Sequence, residues 1–478
     1  MKVVEQFKRR ILDLAIRGKL VPQYPNDEPA SILLERIKAE KAKLVKAGKI
    51  KKEKNPSEIV IGSDGAAYEK FADGSIKDIS TELPFALPNG WVWTRIGNVC
   101  YDFQYGTARK STKNGNVPVL RMGNLRAGEI DYSDLVYTSD KDDIERYCLN
   151  PGDLLFNRTN SSEKVGKVSI FRGKKPCIYA GYLVRFRPVR SDSEFINYMM
   201  NSRYQWEFCQ SVKTDAVNQS NISASKFIQF LVPLPPLAEQ KRIVAKIKEL
   251  FMVADLLDAT TNNLMNTSKQ IDKKILDLAI RGKLVPQDPN DEPASELVKR
   301  IATSHKSPCK NQSELIHPPF AIPQSWEWVR LGAICEILDS KRKPVAKSKR
   351  KPGPYPYYGA TCIQDFVSDF IFDEPLVLLG EDGAKWGKGD KSAFCVDGKI
   401  WVNNHAHVLR PCDGINHIYL VCTLDILDLM PYVTGTTVPK LNQEKMCDIQ
   451  IPLPPLAEQK RIVAKIEELR AVIKPLTM

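Results

Sequence analysis

From Ile243 onward the apolar residues fall at alternating steps of four and three: Ile243, Ile247, Leu250, Ala254, Leu257, Leu264, Ile271, Ile275 and Leu278, with Thr261 and Ser268 as weak members. This is the seam of a coiled-coil helix sustained over about five heptads. Pro235-Pro236 predicts its start, because proline is tolerated in a first helical turn and nowhere deeper. Gly282 predicts its end. At about 1.5 Å per residue the rod is roughly 60–65 Å long. On either side of it, short apolar runs such as Pro118-Val119-Leu120 and Leu376-Val377-Leu378-Leu379 alternate with turn residues, which predicts folded regions rich in strands.

Three blocks occur twice in the same order. ILDLAIRGKLVPQYPNDEPASILLERI at Ile11–Ile37 returns at Ile275–Ile301, PFALPNGWVWTRIGNVC at Pro84–Cys100 returns at Pro319–Cys335, and VPLPPLAEQKRIVAKIKEL at Val232–Leu250 returns at Ile451–Leu469. The offset shrinks from 264 to 235 to 219 residues, so the chain is a tandem duplication whose second copy is shorter in two places. Between the second and third blocks the halves barely resemble each other, which suggests one scaffold carrying two different readers. Ile462, Ile466, Leu469 and Ile473 repeat the start of the seam, and Val4, Phe7, Ile11 and Leu14 repeat its end. The termini together therefore rebuild the central helix, and the expected arrangement is a ring with two antiparallel rods and a pseudo-two-fold axis. Core helices of an ordinary bundle fit the seam equally well but leave the split copy at the termini unexplained. The paired tryptophans Trp91, Trp93, Trp326 and Trp328 recur at one place in both halves and read as anchors of each reader's first strand.

Composition narrows the partners. The net charge of +13 suggests a polyanion. No run of eighteen apolar residues occurs, and the N-terminus is charged throughout, which argues against a membrane span or an export signal. Eleven scattered cysteines with no Cys-x-x-Cys pair argue against a disulfide framework or a zinc cluster, and a reducing cytoplasm is the expected home.

No catalytic constellation can be assembled. LVLLGEDGAKWGKGDKS has the wrong spacing for a phosphate cradle, and His405 and His407 lack companions at ligand spacing, so they read as structural or DNA-facing. Loops rich in cations, amides and hydroxyls are instead the candidate DNA contacts, because phosphates take Lys and Arg while base edges are read by Arg, Asn, Gln, Ser and Thr. In the first insert these are Tyr105, Thr107, Arg109, Lys110, Ser111 and Lys113, then Arg158, Asn160, Ser161 and Lys164, and the polar run from Lys213 to Asn221. In the second they are Lys341, Arg342, Lys343, Lys347, Lys349, Arg350 and Lys351, then Tyr357, Tyr358, Lys385, Trp386, Asn403, Asn404 and Lys440. The lysine-rich stretch from Arg36 to Lys54 reads as a solvated helix or linker beside the first reader, with contact to a DNA backbone as the minor alternative.

The doubled PLPPLAEQKRIVAKI, the doubled LDLAIRGKLVPQ-x-PNDEPAS, GNLRAGEI after PVLRM, and PYYGATCIQDFV followed by LLGEDG resemble the DNA-specificity subunit of type I restriction-modification enzymes, over nearly the whole chain. The resemblance implies an α+β chain in which two α/β target recognition domains are joined by two long antiparallel coiled-coil regions. The segments would be 1–83 (helical region and basic linker), 84–235 (first reader), 236–318 (central helix and linker), 319–454 (second reader) and 455–478 (last helix). It implies a subunit without a catalytic site, reading an asymmetric target of two half-sites in double-stranded DNA. It also implies two methyltransferase subunits and restriction/translocase subunits as partners, with S-adenosylmethionine, ATP and Mg on those partners and no cofactor in this chain. From the residues alone, a self-sufficient nuclease or methyltransferase with an unfamiliar site and a protein-binding scaffold stay open.

Overall fold

The structure, a computed structural model, describes the chain except residues 1, 54, 218, 305–317, 436 and 474–478, so the ends of the central linker and of the last predicted segment lie outside the described residues. Two compact units, Met1–Ala259 and Thr260–Met478, divide inside the long helix Leu237–Ile280. That helix starts directly after Pro236 and runs for 44 residues, as the seam predicts. Gly282, at φ +63°, closes it: the Gly282 and Lys283 amides donate to the Ala279 and Leu278 carbonyls. Burial along the seam is less even than its pattern suggests. Ile243, Ile247, Ala254 and Ile275 are buried, whereas Leu257, Leu264 and Ile271 are exposed.

In the first unit, helix Lys2–Ile16 runs antiparallel to the start of the long helix. Lys8 pairs with Asp255 at 2.5 Å, and Gln23 reaches back to Glu239 at 3.0 Å. Ile11, Leu12, Ala15 and Ile16 share one core with Ile243, Val244 and Ile247. In the second unit, helix Leu456–Ile473 runs antiparallel to the end of the long helix, with Arg470 on Asp272 at 2.6 Å and Gln287 on Glu458 at 2.5 Å. Ile462, Val463 and Ile466 share a core there with Ile275, Leu276, Ala279 and Ile280. Each unit thus holds one antiparallel helix pair of the kind the repeats predict.

The two inserts differ in sequence but follow one strand plan. The first has a four-stranded antiparallel sheet in the order Val168–Ile170, Leu154–Asn157, Leu183–Pro188, Cys100–Tyr105. The second repeats it as Ala393–Val396, Leu376–Gly380, Ala406–Pro411, Cys335–Ile337. A second sheet in each contains a parallel pair, Val117–Leu120 with Ile178–Tyr179 and Pro352–Tyr358 with Lys399–Val402. Each insert is closed by an antiparallel pair, Val92–Arg95 with Leu231–Leu234 and Glu327–Arg330 with Gln450–Leu453, in which Trp93 faces Pro233 and Trp328 faces Pro452.

The lysine-rich stretch forms helix Ala30–Lys46, one of its two expected readings; the three-stranded meander that follows it, Ser57–Ile61, Ala67–Phe71 and Ile76–Asp78, was not expected. Its turns use Gly65 and Gly74 at φ +79° and +88°, and a buried Glu69–Arg95 ion pair at 2.7 Å ties it to the first reader.

The repeated motifs meet at one junction in each unit. Glu239 accepts from the Trp91 indole and the Gln23 amide, both at 3.0 Å; Glu458 accepts from Trp326 at 2.9 Å and Gln287 at 2.5 Å. Next door, Gln240 bonds the Pro235 carbonyl and the Asp192 amide, as Gln459 bonds Pro454 and Asn416. Arg242 pairs with Asp27 at 2.5 Å and Arg461 with Asp291 at 2.6 Å. Gly18 and Gly282 are required because a Cβ at either would lie 2.3 Å from a proline, Pro88 or Pro323. Burial raises both glutamates above the usual carboxylate range, against the pull of their amide and indole donors. Trp91→Phe and Trp326→Phe keep most of the ring but remove the donor. Each should destabilise its own unit by about 1–3 kcal/mol, read as a lower denaturant midpoint; an unchanged midpoint would mean the indole bond contributes nothing.

Candidate nucleic-acid interface

In the first reader three predicted segments converge. Arg158 leaves strand Leu154–Asn157, donates to Asn221 at 3.0 Å and lies 4.7 Å from the centre of the Tyr105 ring. Thr159–Asn160, Gln219–Asn221 and Thr214–Ala216 form a small sheet, and Lys213 bonds Ser162. A cleft of about 560 Å³ is lined by Arg109, Lys110, Ser111 and Arg158. Arg121 and Tyr182 line it too and were missed by sequence reasoning; the signal for Arg121 was a cation directly after the strand Val117–Leu120. Arg109 is held by Asp140, and Arg121 by Asp134 at 2.8 Å. Lys110, Lys113, Ser161 and Lys164 are exposed, while Ser111 and Asn160 are half-buried. Thr107 is not available: it is buried and donates its hydroxyl to Asp143.

The second reader brings its loops together around a buried ion network. Asp339, Glu381 and His407 place three possible ligand atoms within 4.8 Å of one another, but Arg342 and Lys440 occupy the cluster as counter-charges. His407 is fully buried and bonds Asp339 at 2.5 Å and the Leu441 carbonyl at 2.7 Å, a structural part. Burial alone would raise the Glu381 carboxyl; hydrogen bonds from Lys440 and Arg342 bring it below its usual value.

Four predicted contacts of this reader are therefore interior. Arg342 has its guanidinium in that network, Tyr357 is buried under Arg350 at 4.1 Å, Trp386 donates to the Gly380 carbonyl, and Asn403 bonds Gln364. Arg342 and Asn403 face partners 39 residues away, Trp386 and Tyr357 partners six and seven residues away, and each side chain is engaged in holding a loop in place. Arg350 is half-buried on Asp365, and Tyr358 is half-buried on Phe394. Lys341, Lys343, Lys347, Lys349, Lys351, Lys385 and Asn404 are exposed on the loops so held, and Lys440 is exposed apart from its bond to Glu381. The arrangement offers cations and amides at the surface over a rigid polar floor, which suits phosphate and base-edge contacts.

The family model described as "Type I restriction modification DNA specificity domain" matches residues 88–266 and 323–475, one match over each reader and the helix that follows it. The chain belongs to this family of type I restriction-modification specificity proteins. It is 27% identical to the type I restriction enzyme EcoAI specificity subunit of Escherichia coli, over 98% of this chain and 89% of that one. It is 29% identical to the EcoEI specificity subunit of the same species, over 97% and 89%. In fold it resembles a chain from a structure of the assembly and conformational transition of the type I R-M system, with a TM-score of 0.54 at 19% identity, covering 82% of this chain and 93% of that one. No described helix is long and apolar enough to cross a membrane.

Two predictions follow from the floor of the second reader. Arg342→Met leaves Asp339 and Glu381 short of a buried counter-charge. It should destabilise the second unit by about 3 kcal/mol, the lower end for a broken buried pair because Lys440 remains; a denaturation midpoint equal to wild type would show the pair to be dispensable. Asp425 accepts from the Ser392 and Ala393 amides at 3.0 and 3.1 Å, yet burial pushes its carboxyl from 3.8 up to about 6. Between those values the folded protein keeps a proton that the unfolded chain has released. The contribution is thus fully present below pH 3.8 and lost as pH rises through about 6. Asp425→Asn keeps the acceptor oxygen and should remove up to about 3 kcal/mol of this pH dependence, measured as stability against pH.

Proposed function

We propose that the chain is the non-catalytic subunit that selects the DNA site for a type I restriction-modification complex. The observation that carries this reading is the repetition of one strand plan and one junction beneath two inserts whose surface loops differ. Two readers built alike but lined differently suit a target of two unlike half-sites with an unread spacer between them. The reaction then belongs to partners: two methyltransferase subunits using S-adenosylmethionine, and restriction/translocase subunits using ATP and Mg, all in a prokaryotic cytoplasm. In this chain the exposed lysines would hold phosphates and so set register, while Arg121, Arg158, Asn160, Asn221 and Asn404 have the donor and acceptor groups that base edges require.

The test is to exchange the insert Pro84–Val232 for that of a relative and sequence the methylome of a host making the protein with its methyltransferase. One half-site should change while the other and the spacer stay the same. A simultaneous change of both half-sites would sink the two-reader reading.

A further inference from the structure

A second, larger trough of about 840 Å³ lies beside the first reader's cleft and includes Tyr105 of the loops assigned above. One wall is the end of helix Ala30–Lys46 and the segment after it, which brings in Lys49, Lys51 and Lys52; the other is strand Cys100–Tyr105 with Arg146. The trough runs along that strand to Gly106, and the cleft of the first reader begins at Thr107, so the two share one strand and the loop that leaves it.

Its charge is one-sided. Two carboxylates line it, and both are answered: Asp102 by Arg185 at 2.6 Å and Arg187 at 2.7 Å, Glu53 by Lys41 at 3.7 Å. Lys49, Lys51 and Lys52 are exposed and have no carboxylate partner among the described residues, and Arg146 lies 5.4 Å from the centre of the Tyr147 ring. Exposed cations along an open trough, with no buried donor aimed into it among the described residues, do not build a pocket for one small anion. They suit a polymer that presents a charge every few ångströms, as a phosphodiester backbone does. The duplication adds a second argument. The offset between copies falls from 264 at Ile37 to 235 at Pro84, and the extra residues of the first copy include this segment. Residues 38–54 hold eight lysines, whereas residues 302–318 of the second copy hold two.

We propose that Lys49, Lys51 and Lys52, with Arg146, form a track for the DNA backbone that continues the first reader's cleft beyond the bases it reads. The track rests on the reading of the first reader as a DNA-binding domain. It adds affinity without sequence preference and flanks the first half-site only.

The experiment uses the full chain with its methyltransferase partner, a duplex carrying the methylome-identified target, and the triple variant Lys49→Gln, Lys51→Gln, Lys52→Gln. Each phosphate contact contributes about 0.9 to the slope of log affinity against log salt, so the triple variant should flatten the slope by about 2 to 3 and weaken binding roughly tenfold or more at low salt. Backbone protection should shorten beside the first half-site and stay unchanged beside the second, with the methylated sequence unaltered. Lys→Arg replacements at the three positions should restore slope and protection, which a folding defect would not permit. An unchanged slope and footprint in the glutamine variant overturns the track, and so does an altered methylated sequence or a loss confined to methyltransferase binding. A wild-type complex with no salt-dependent DNA binding overturns the DNA reading itself, and the track with it.

Discussion

Everything in each unit hangs on a carboxylate buried where three repeated motifs meet. Glu239 and Glu458 sit in the first turn of a helix, out of water, and are held there by an indole and an amide drawn from segments far away in sequence. An uncompensated charge at such a place would be costly, so the donors are obligatory and their positions fix one another. The tryptophan sets where the reader's first strand begins, the glutamine sets the path of the chain after the helix turn, and the neighbouring Gln240 and Gln459 tie in the reader's own helical caps at Asp192 and Asn416. The proline-to-helix motif occurs twice because each reader needs its own such clamp.

Much of the frame was legible in the sequence because its signals are local. Pro235-Pro236 and Gly282 bound the long helix, and the repeats identify the terminal helices as its counterparts; that Leu257 and Leu264 are exposed was not legible, because the heptad pattern gives which face an apolar residue takes and not how deeply it is buried. The meander at Ser57–Asp78 was missed although SDG and ADG are hairpin signals, since the lysines before it dominate the composition and its anchors, Arg95 on Glu69, Asn98 on the Ser57 carbonyl and Lys38 on Glu58, lie outside the segment.

The site divided along the same line. That cation-rich loops occur in each reader follows from composition inside folded inserts, and Arg109, Lys110, Ser111 and Arg158 line one cleft of the first. Which members of a loop turn inward was beyond reach. Thr107 turns to Asp143 across 36 residues, and Arg342 turns to Glu381 across 39. Such choices belong to the sheets' topology, which brings remote carboxylates under the loops, and no periodicity in the loop itself reports it.

The strand pairs that close each insert bear on how such a protein diversifies. Val92–Arg95 lies against Leu231–Leu234, and Glu327–Arg330 against Gln450–Leu453, so every insert leaves the frame and returns to it across a single ladder spacing of about 4.8 Å. The ends of an exchanged insert are therefore held together by backbone bonds of the frame, and loop-closure entropy changes only slowly with the length in between. Recombination can then import a reader of different size and specificity whole, with the cut points already supplied by the repeated strands, and selection acts on new DNA targets without having to rebuild a core.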